Sequence, residues 1–195
     1  MLHVQGRDPG VECNVWMGLR DRRGRVVPES VREGHNVWTL TGREYLVGRM
    51  SLASVAPTRV EGRSDCVYYI GIGSGVQTEV ESVSALVTPV EYRSGSFLAP
   101  IQTPPTFPAD TTSTPRTSVR YIREYASNEI SLGADVVVTE AGLYTDGDPS
   151  NNDAPPAPVT LAAAGGRAPL AYHSFEPITK FLGFTFVIIW EVRIT

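Results

Sequence analysis

From Phe184 to Ile194 the chain alternates residue by residue, a pattern that a strand can use and a helix cannot. Phe184, Phe186, Ile188, Trp190, Val192 and Ile194 fall on one side. Thr185, Val187, Ile189, Glu191, Arg193 and Thr195 fall on the other, which turns polar toward its end. A helix would scatter the apolar set around its circumference; an extended strand aligns it. An apolar strand face has to be covered, so this segment predicts a core strand of an antiparallel sheet packed on a second layer.

The rest of the chain agrees with that architecture. Cys66–Ile72 is β-branched and aromatic and ends in Gly73-Ser74-Gly75. Ala85–Tyr92 reads as extended, with Pro89 marking an edge or a bulge. Ser118–Ala126 alternates Val119, Tyr121 and Tyr125 against Arg120 and Glu124, and Asp135–Ala141 reads as a buried strand closed by Gly142. Leu170–Phe175 is a further strand. Hydrophobic residues make up 42% of the chain, enough for a real core, and 18 Gly with 15 Pro supply the many turns a β fold needs. The prediction is a mainly β protein: an antiparallel β-sandwich over residues 36–195, with one short helix near its start, preceded by an N-terminal arm or hairpin over residues 1–35.

Within that arm, Asn14–Arg20 and Arg25–Val27 read as two short strands, with Asp21-Arg22-Arg23-Gly24 as the turn and glycine supplying a positive φ. The helix is placed in 36–51, where Thr41 and Glu44 fit a capping box, Leu40 and Tyr45 flank it, and Tyr45, Leu46 and Met50 form its apolar side. Two proline-rich stretches, 100–115 and 144–158, read as long loops suited to contacts between subunits.

A net charge of −4 argues against a dedicated nucleic-acid binder. The longest apolar run is too short to cross a bilayer as a helix, and the first residues lack a basic start followed by an apolar stretch. No membrane partner is therefore expected, and synthesis in a cytoplasm is. Cys13 and Cys66 are too few for a metal site or a disulfide scaffold, and sequence leaves open whether they are free or paired. Lys180 is the only lysine.

Three groups of residues invite a chemical reading. Gly71-Ile-Gly73-Ser-Gly75 lacks the Rossmann spacing, and Glu79 and Glu81 follow where a phosphate would sit, so a turn between strands is the reading. His3, His35 and His173 share no ligand spacing. Glu140 and Glu176 are the one carboxylate pair that glycan hydrolysis could use, with Glu140 more simply read as hydrogen-bonded at a strand end. No catalytic, cofactor-binding or metal residue is predicted.

The order of short motifs carries a resemblance. Leu40-Thr-Gly-Arg-Glu-Tyr-Leu46 is followed by Tyr69-Ile-Gly-Ile-Gly-Ser-Gly75, Glu79–Leu86, Thr139-Glu-Ala-Gly-Leu-Tyr144, and Ala168–Lys180 with Pro177-Ile-Thr-Lys180 at its end. The strand from Phe184 closes the series. Over 36–195 this order resembles the attachment domain of bacteriophage tail-collar fibre proteins and related short virion proteins of tailed phages. The resemblance implies a non-enzymatic structural subunit of a phage particle, a neck, collar or baseplate adaptor or fibre-attachment subunit. Its implied partners are copies of itself and other virion proteins, and its place is the virion. Two alternatives keep the same surface: a capsid decoration protein, and a carbohydrate-binding module on the particle. The residues expected to make assembly contacts are Trp16, Arg20, Arg22, Arg23 and, in the first proline-rich loop, Phe107.

Overall fold

The computed structural model describes residues 11–43, 67–101, 118–130, 134–145 and 168–194. Its strands are β1 (Val11–Arg20), β2 (Arg32–His35), β3 (Val37–Trp38), β4 (Val67–Gly73), β5 (Leu98–Pro100), β6 (Ser118–Tyr125), β7 (Val136–Thr145), β8 (Ala171–Lys180) and β9 (Thr185–Ile194). They form two antiparallel sheets, β2-β1-β9-β6 and β3-β8-β7-β4-β5, stacked as a sandwich. The predicted mainly β sandwich is what the chain adopts.

β9 lies inside the first sheet. It pairs with β1 from Val11↔Ile194 to Arg20↔Thr185 and with β6 from Ser118↔Arg193 to Tyr125↔Phe186, both without a register shift. Phe186, Ile188 and Trp190 are fully buried on its inner face, as its alternation requires. They pack with Cys13, Val15, Met17 and Leu19 of β1, and with Ile70, Ile72, Val138, Ala141 and Leu143 of the facing sheet. At about 1.5–3 kcal/mol for each fully buried large apolar side chain, this interface is the main source of stability.

Residues 11–35 are therefore no appendage, and the expected division at residue 35 is corrected. β1 sits between β2 and β9, and Met17 is fully buried. Its inner face, Cys13, Val15, Met17 and Leu19, is as regular as that of β9, and the charges that follow in the hairpin tip are what made the segment read as an arm. The hairpin tip is as predicted: Arg20 bridges to Val26, and Gly24 has φ 77°. Asp21 fixes the tip by accepting from the backbone N–H groups of Arg23 (2.8 Å) and Arg25 (3.0 Å). The N–H of Arg25, then its guanidinium, hold the Asp21 carboxyl below the usual carboxylate range.

Four local expectations also change. The helical turn begins at residue 40, and its cap is Thr39, whose Oγ1 accepts from the Gly42 N–H at 3.1 Å. Thr39 is buried against the Leu170 carbonyl, a tertiary anchor that the capping-box pattern at Thr41 and Glu44 could not reveal. Residues 44–51 lie outside the described residues. Ala85–Tyr92 is not a strand but a loop that touches the sheet through the Gly73↔Pro89 bridge. β7 runs straight through Gly142 with no turn, and the strand expected over Leu170–Phe175 is β8, which continues past Phe175 and through Pro177 to Lys180, with the β7–β8 register shifting on the way.

The loop 74–97 crosses the outer face of the second sheet. Val83 and Leu86 there join Tyr69, Leu98, Tyr144 and Tyr172 in a second, smaller core. Deleting residues 1–20 removes β1 and strips one side of β9. The truncated chain is expected to lose its cooperative unfolding transition in urea, monitored by tryptophan fluorescence; a retained transition would return β1 to the status of an arm.

Candidate functional site

The glycine-rich turn after β4 holds a carboxylate of the protein's own. The β7–β8 register shifts between Val138 and Glu140, and this bulge turns Glu140 away from the main core. There its Oε1 accepts from the N–H groups of Gly75 (3.3 Å) and Thr88 (3.0 Å), and its Oε2 from Val87 N–H (3.2 Å) and the Tyr172 hydroxyl (2.9 Å). Gly73 lies so close to the Glu140 carboxyl that any side chain there would collide with it. The two carboxylates that follow the turn also fasten the loop. Glu79 accepts from Ser174 N–H at 2.6 Å, and Glu81 pairs with Arg43 at 2.6 Å. The reading of Glu140 as a hydrogen-bonded strand-end side chain fits this geometry. Glu176 is exposed on β8 and does not share its enclosure.

A second buried carboxylate, Glu129, accepts from Arg93 Nε (2.6 Å), Arg123 (2.6 Å) and Ala126 N–H (2.9 Å). The Arg123 guanidinium lies 5.4 Å from the Tyr92 ring centre and 5.0 Å from that of Tyr125. Next to Glu129, the β-branched Ile130 is held at φ 67°, its N–H bonded to the Tyr92 carbonyl. That left-handed conformation costs on the order of 1–3 kcal/mol and persists because the surrounding network fixes it. Lys180 is buried nearby, its Nζ donating to the carbonyls of Phe181 (3.3 Å) and Ser127 (3.4 Å). Burial lowers its pKa, against the opposing pull of Glu129 and Asp135.

Surface chemistry concentrates at one end of the sandwich. β8 and β9 are joined by Phe181-Leu182-Gly183-Phe184, with Gly183 at φ 90° and Phe184 N–H bonded to the Phe181 carbonyl. Phe181 and Leu182 are 45% and 55% exposed, whereas a hairpin tip of this kind is ordinarily polar. Arg22 reaches across from the β1 hairpin to cover Gly183, while the Arg25 guanidinium is turned back onto Asp21 (2.9 and 2.8 Å). Arg20 pairs with Glu124 at 3.0 Å. Of the residues nominated from sequence, Arg22 is set against this hairpin, and Arg20 and Arg23 lie in the adjoining β1 tip.

Trp16 is placed elsewhere, half-buried on the outer face of the first sheet with its indole over Gly18. It lines a trough of about 560 Å³ together with Glu33, His35, Arg120, Ile189 and Glu191. Phe107 lies outside the described residues. Phe181 and Leu182 were missed, although two large apolar residues beside a turn glycine were visible in the sequence.

Among the described residues no cluster of His, Cys, Asp or Glu is arranged to hold a metal ion, and no helix is long and apolar enough to cross a membrane. No protein-family model, curated protein or solved structure matches the chain.

The buried polar groups make two effects measurable. Glu140→Ala strands three backbone N–H groups and is expected to cost about 3–5 kcal/mol, with Glu140→Gln costing less, read from urea midpoints. The second concerns alkaline pH. Burial pushes the Cys13 thiol from its ordinary 9.0 up to about 12, against an Asn36 hydrogen bond, and raises the hydroxyl pKa of Tyr125, Tyr144 and Tyr172. A group whose pKa is higher in the folded state contributes its stability in full below the unfolded value and loses it as pH rises toward the folded one. Lys180, with its lowered pKa, acts in the opposite sense but is a single group. Tm should therefore hold near neutrality, decline once pH passes the thiol's ordinary 9.0 and fall more steeply past the phenols' 10.0, with Cys13→Ala removing the first part of the decline.

Proposed function

We propose that the chain is a structural subunit of a tailed-bacteriophage particle, a neck, collar or baseplate adaptor acting through protein–protein contact. The observation that carries this reading is the sandwich end, where the half-exposed Phe181 and Leu182 stand on a hairpin whose Gly183 is covered by the Arg22 guanidinium. Aromatic residues and arginine are the side chains enriched at the centres of protein interfaces. The hairpin is held by its own turn, by Asp135 accepting from Leu182 N–H at 3.3 Å, and by the Phe181–Phe184 edge contact at 5.8 Å. Little backbone freedom of the hairpin remains to be lost on binding, which favours affinity. The order of motifs that resembles collar-fibre attachment domains supports the same reading.

A glycan hydrolase would need two facing carboxylates, and the pair considered from sequence does not supply them. Glu140 is enclosed by four donors, and Glu176 stands on the surface.

The reading is tested on purified particles. Peptide mapping should find this chain in them, and immunogold labelling should confine it to the neck or tail; its absence from particles would overturn the proposal. Phe181→Ser/Leu182→Ser should reduce incorporation about tenfold or more while costing about 1–2 kcal/mol of folding stability, since each side chain is about half exposed and Phe181 loses its contact with Phe184.

A further inference from the structure

Among the described residues β6 is an edge strand, and its own sequence has neither the proline nor the bulge that would keep another strand away. It pairs with β9 along its whole length, and among the described residues no strand pairs with its other side. Protein edges are usually blunted by shortness, proline, a bulge or outward-reaching charge. Ser118–Tyr125 is eight residues long, contains neither Pro nor Gly, and keeps a continuous register. Its charges are drawn back over its own sheet: Arg120 to Glu191 (2.7 Å), Arg123 to Glu129 (2.6 Å) and Glu124 to Arg20 (3.0 Å).

We propose that this edge binds β6 of a second copy of the chain, antiparallel about a two-fold axis at Ile122, giving one continuous sheet through two sandwiches. The choice of partner and register rests on the edge's own sequence. Residues opposite one another in an antiparallel pair share a face, so a two-fold pairing that keeps both cores on the same side must centre on a residue. Centred on Ile122, Arg120 of each copy stands opposite Glu124 of the other, and the two Ile122 side chains meet between these pairs. On the inner face Tyr121 stands opposite Arg123. Centring on Tyr121 would set Arg120 against Ile122 and Glu124 against Ser118, and centring on Arg123 would set two guanidiniums face to face. Only the Ile122 register is complementary in charge.

The outer face of the sheet points the same way. Register places Trp16, Ile189 and Ile122 side by side across β1, β9 and β6, an apolar stripe that stops at the edge. The Arg120–Glu191 and Arg20–Glu124 pairs flank it. Across the axis the stripe continues into the second copy, and the flanking pairs join into one network. The Arg20–Glu124 pair lies where this surface meets the end that carries the Phe181–Leu182 hairpin, but neither Phe181 nor Leu182 takes part in the pairing, so the dimer is tested apart from the particle reading.

Sedimentation of the full chain tests it. The wild type should sediment as a dimer, and Arg120→Glu and Glu124→Arg should each be monomers, because like charges then face one another twice. An equimolar mixture of the two variants should return the dimer mass, since one copy then offers carboxylates at both positions and the other guanidiniums. Mixing restores neither internal ion pair, so recovery reports the contact across the axis alone. Independently, Ile122→Cys in an otherwise unaltered chain should form an intermolecular disulfide under mild oxidation, because directly opposed strand residues lie about 4.5–5.5 Å apart at Cα, within disulfide range. A monomeric wild type, a mixture that stays monomeric, or an Ile122→Cys chain that does not cross-link would overturn the proposal.

Discussion

The uninterrupted ladder between β1 and β9 is the contact on which the remaining structure depends. It joins the first and last described strands, pairing Val11 with Ile194 and Arg20 with Thr185. Its two inner faces supply Met17, Phe186, Ile188 and Trp190, all fully buried. Every other feature of the first sheet is hung on it: β2 on the free side of β1, and β6 on the free side of β9. A contact so long-range in sequence carries a large loop-closure cost before it yields any burial, so the fold is expected to form slowly and cooperatively.

How much of this could be read in advance varied with where each residue's partners lie. β9 was legible because its own alternation sets out the inner face of Phe186, Ile188 and Trp190 without reference to anything else, although Val187 on the other face is also fully buried. β1 has an equally strict inner set, Cys13, Val15, Met17 and Leu19, but the nearby arginines and acids drew attention to the hairpin tip. The Thr39 cap was hidden because its second partner is the Leu170 carbonyl, far along the chain. Glu140 was legible as a bonded side chain, but its partners were not, since they are backbone N–H groups of a loop and leave no pattern in side chains. For the candidate surface, the arginines of the tip were nominated from sequence, whereas nothing in the sequence marks Phe181 and Leu182, apolar residues next to an apolar strand, as facing outward.

The buried polar groups explain how a chain so rich in turns holds a defined surface. Glu140 ties the 74–88 segment down over the second small core, and Glu129 ties the 92–96 turn to the end of β6. Lys180, the only lysine, is spent inside the same end of the sandwich, leaving arginine as the basic side chain of the surface. Arginine's planar fork and weak hydration suit it to ion pairs at interfaces, which supports the proposed role in contact.

Native-state hydrogen exchange, resolved by residue, tests the central role of the β1–β9 ladder most directly. The inward-paired amides of β1 and β9 should be the slowest in the molecule, exchanging together with the free energy of global unfolding. If β1 amides exchanged through a lower-energy local opening while β9 stayed protected, β1 would be a detachable strand, and the ladder would not be the contact that holds the sandwich together.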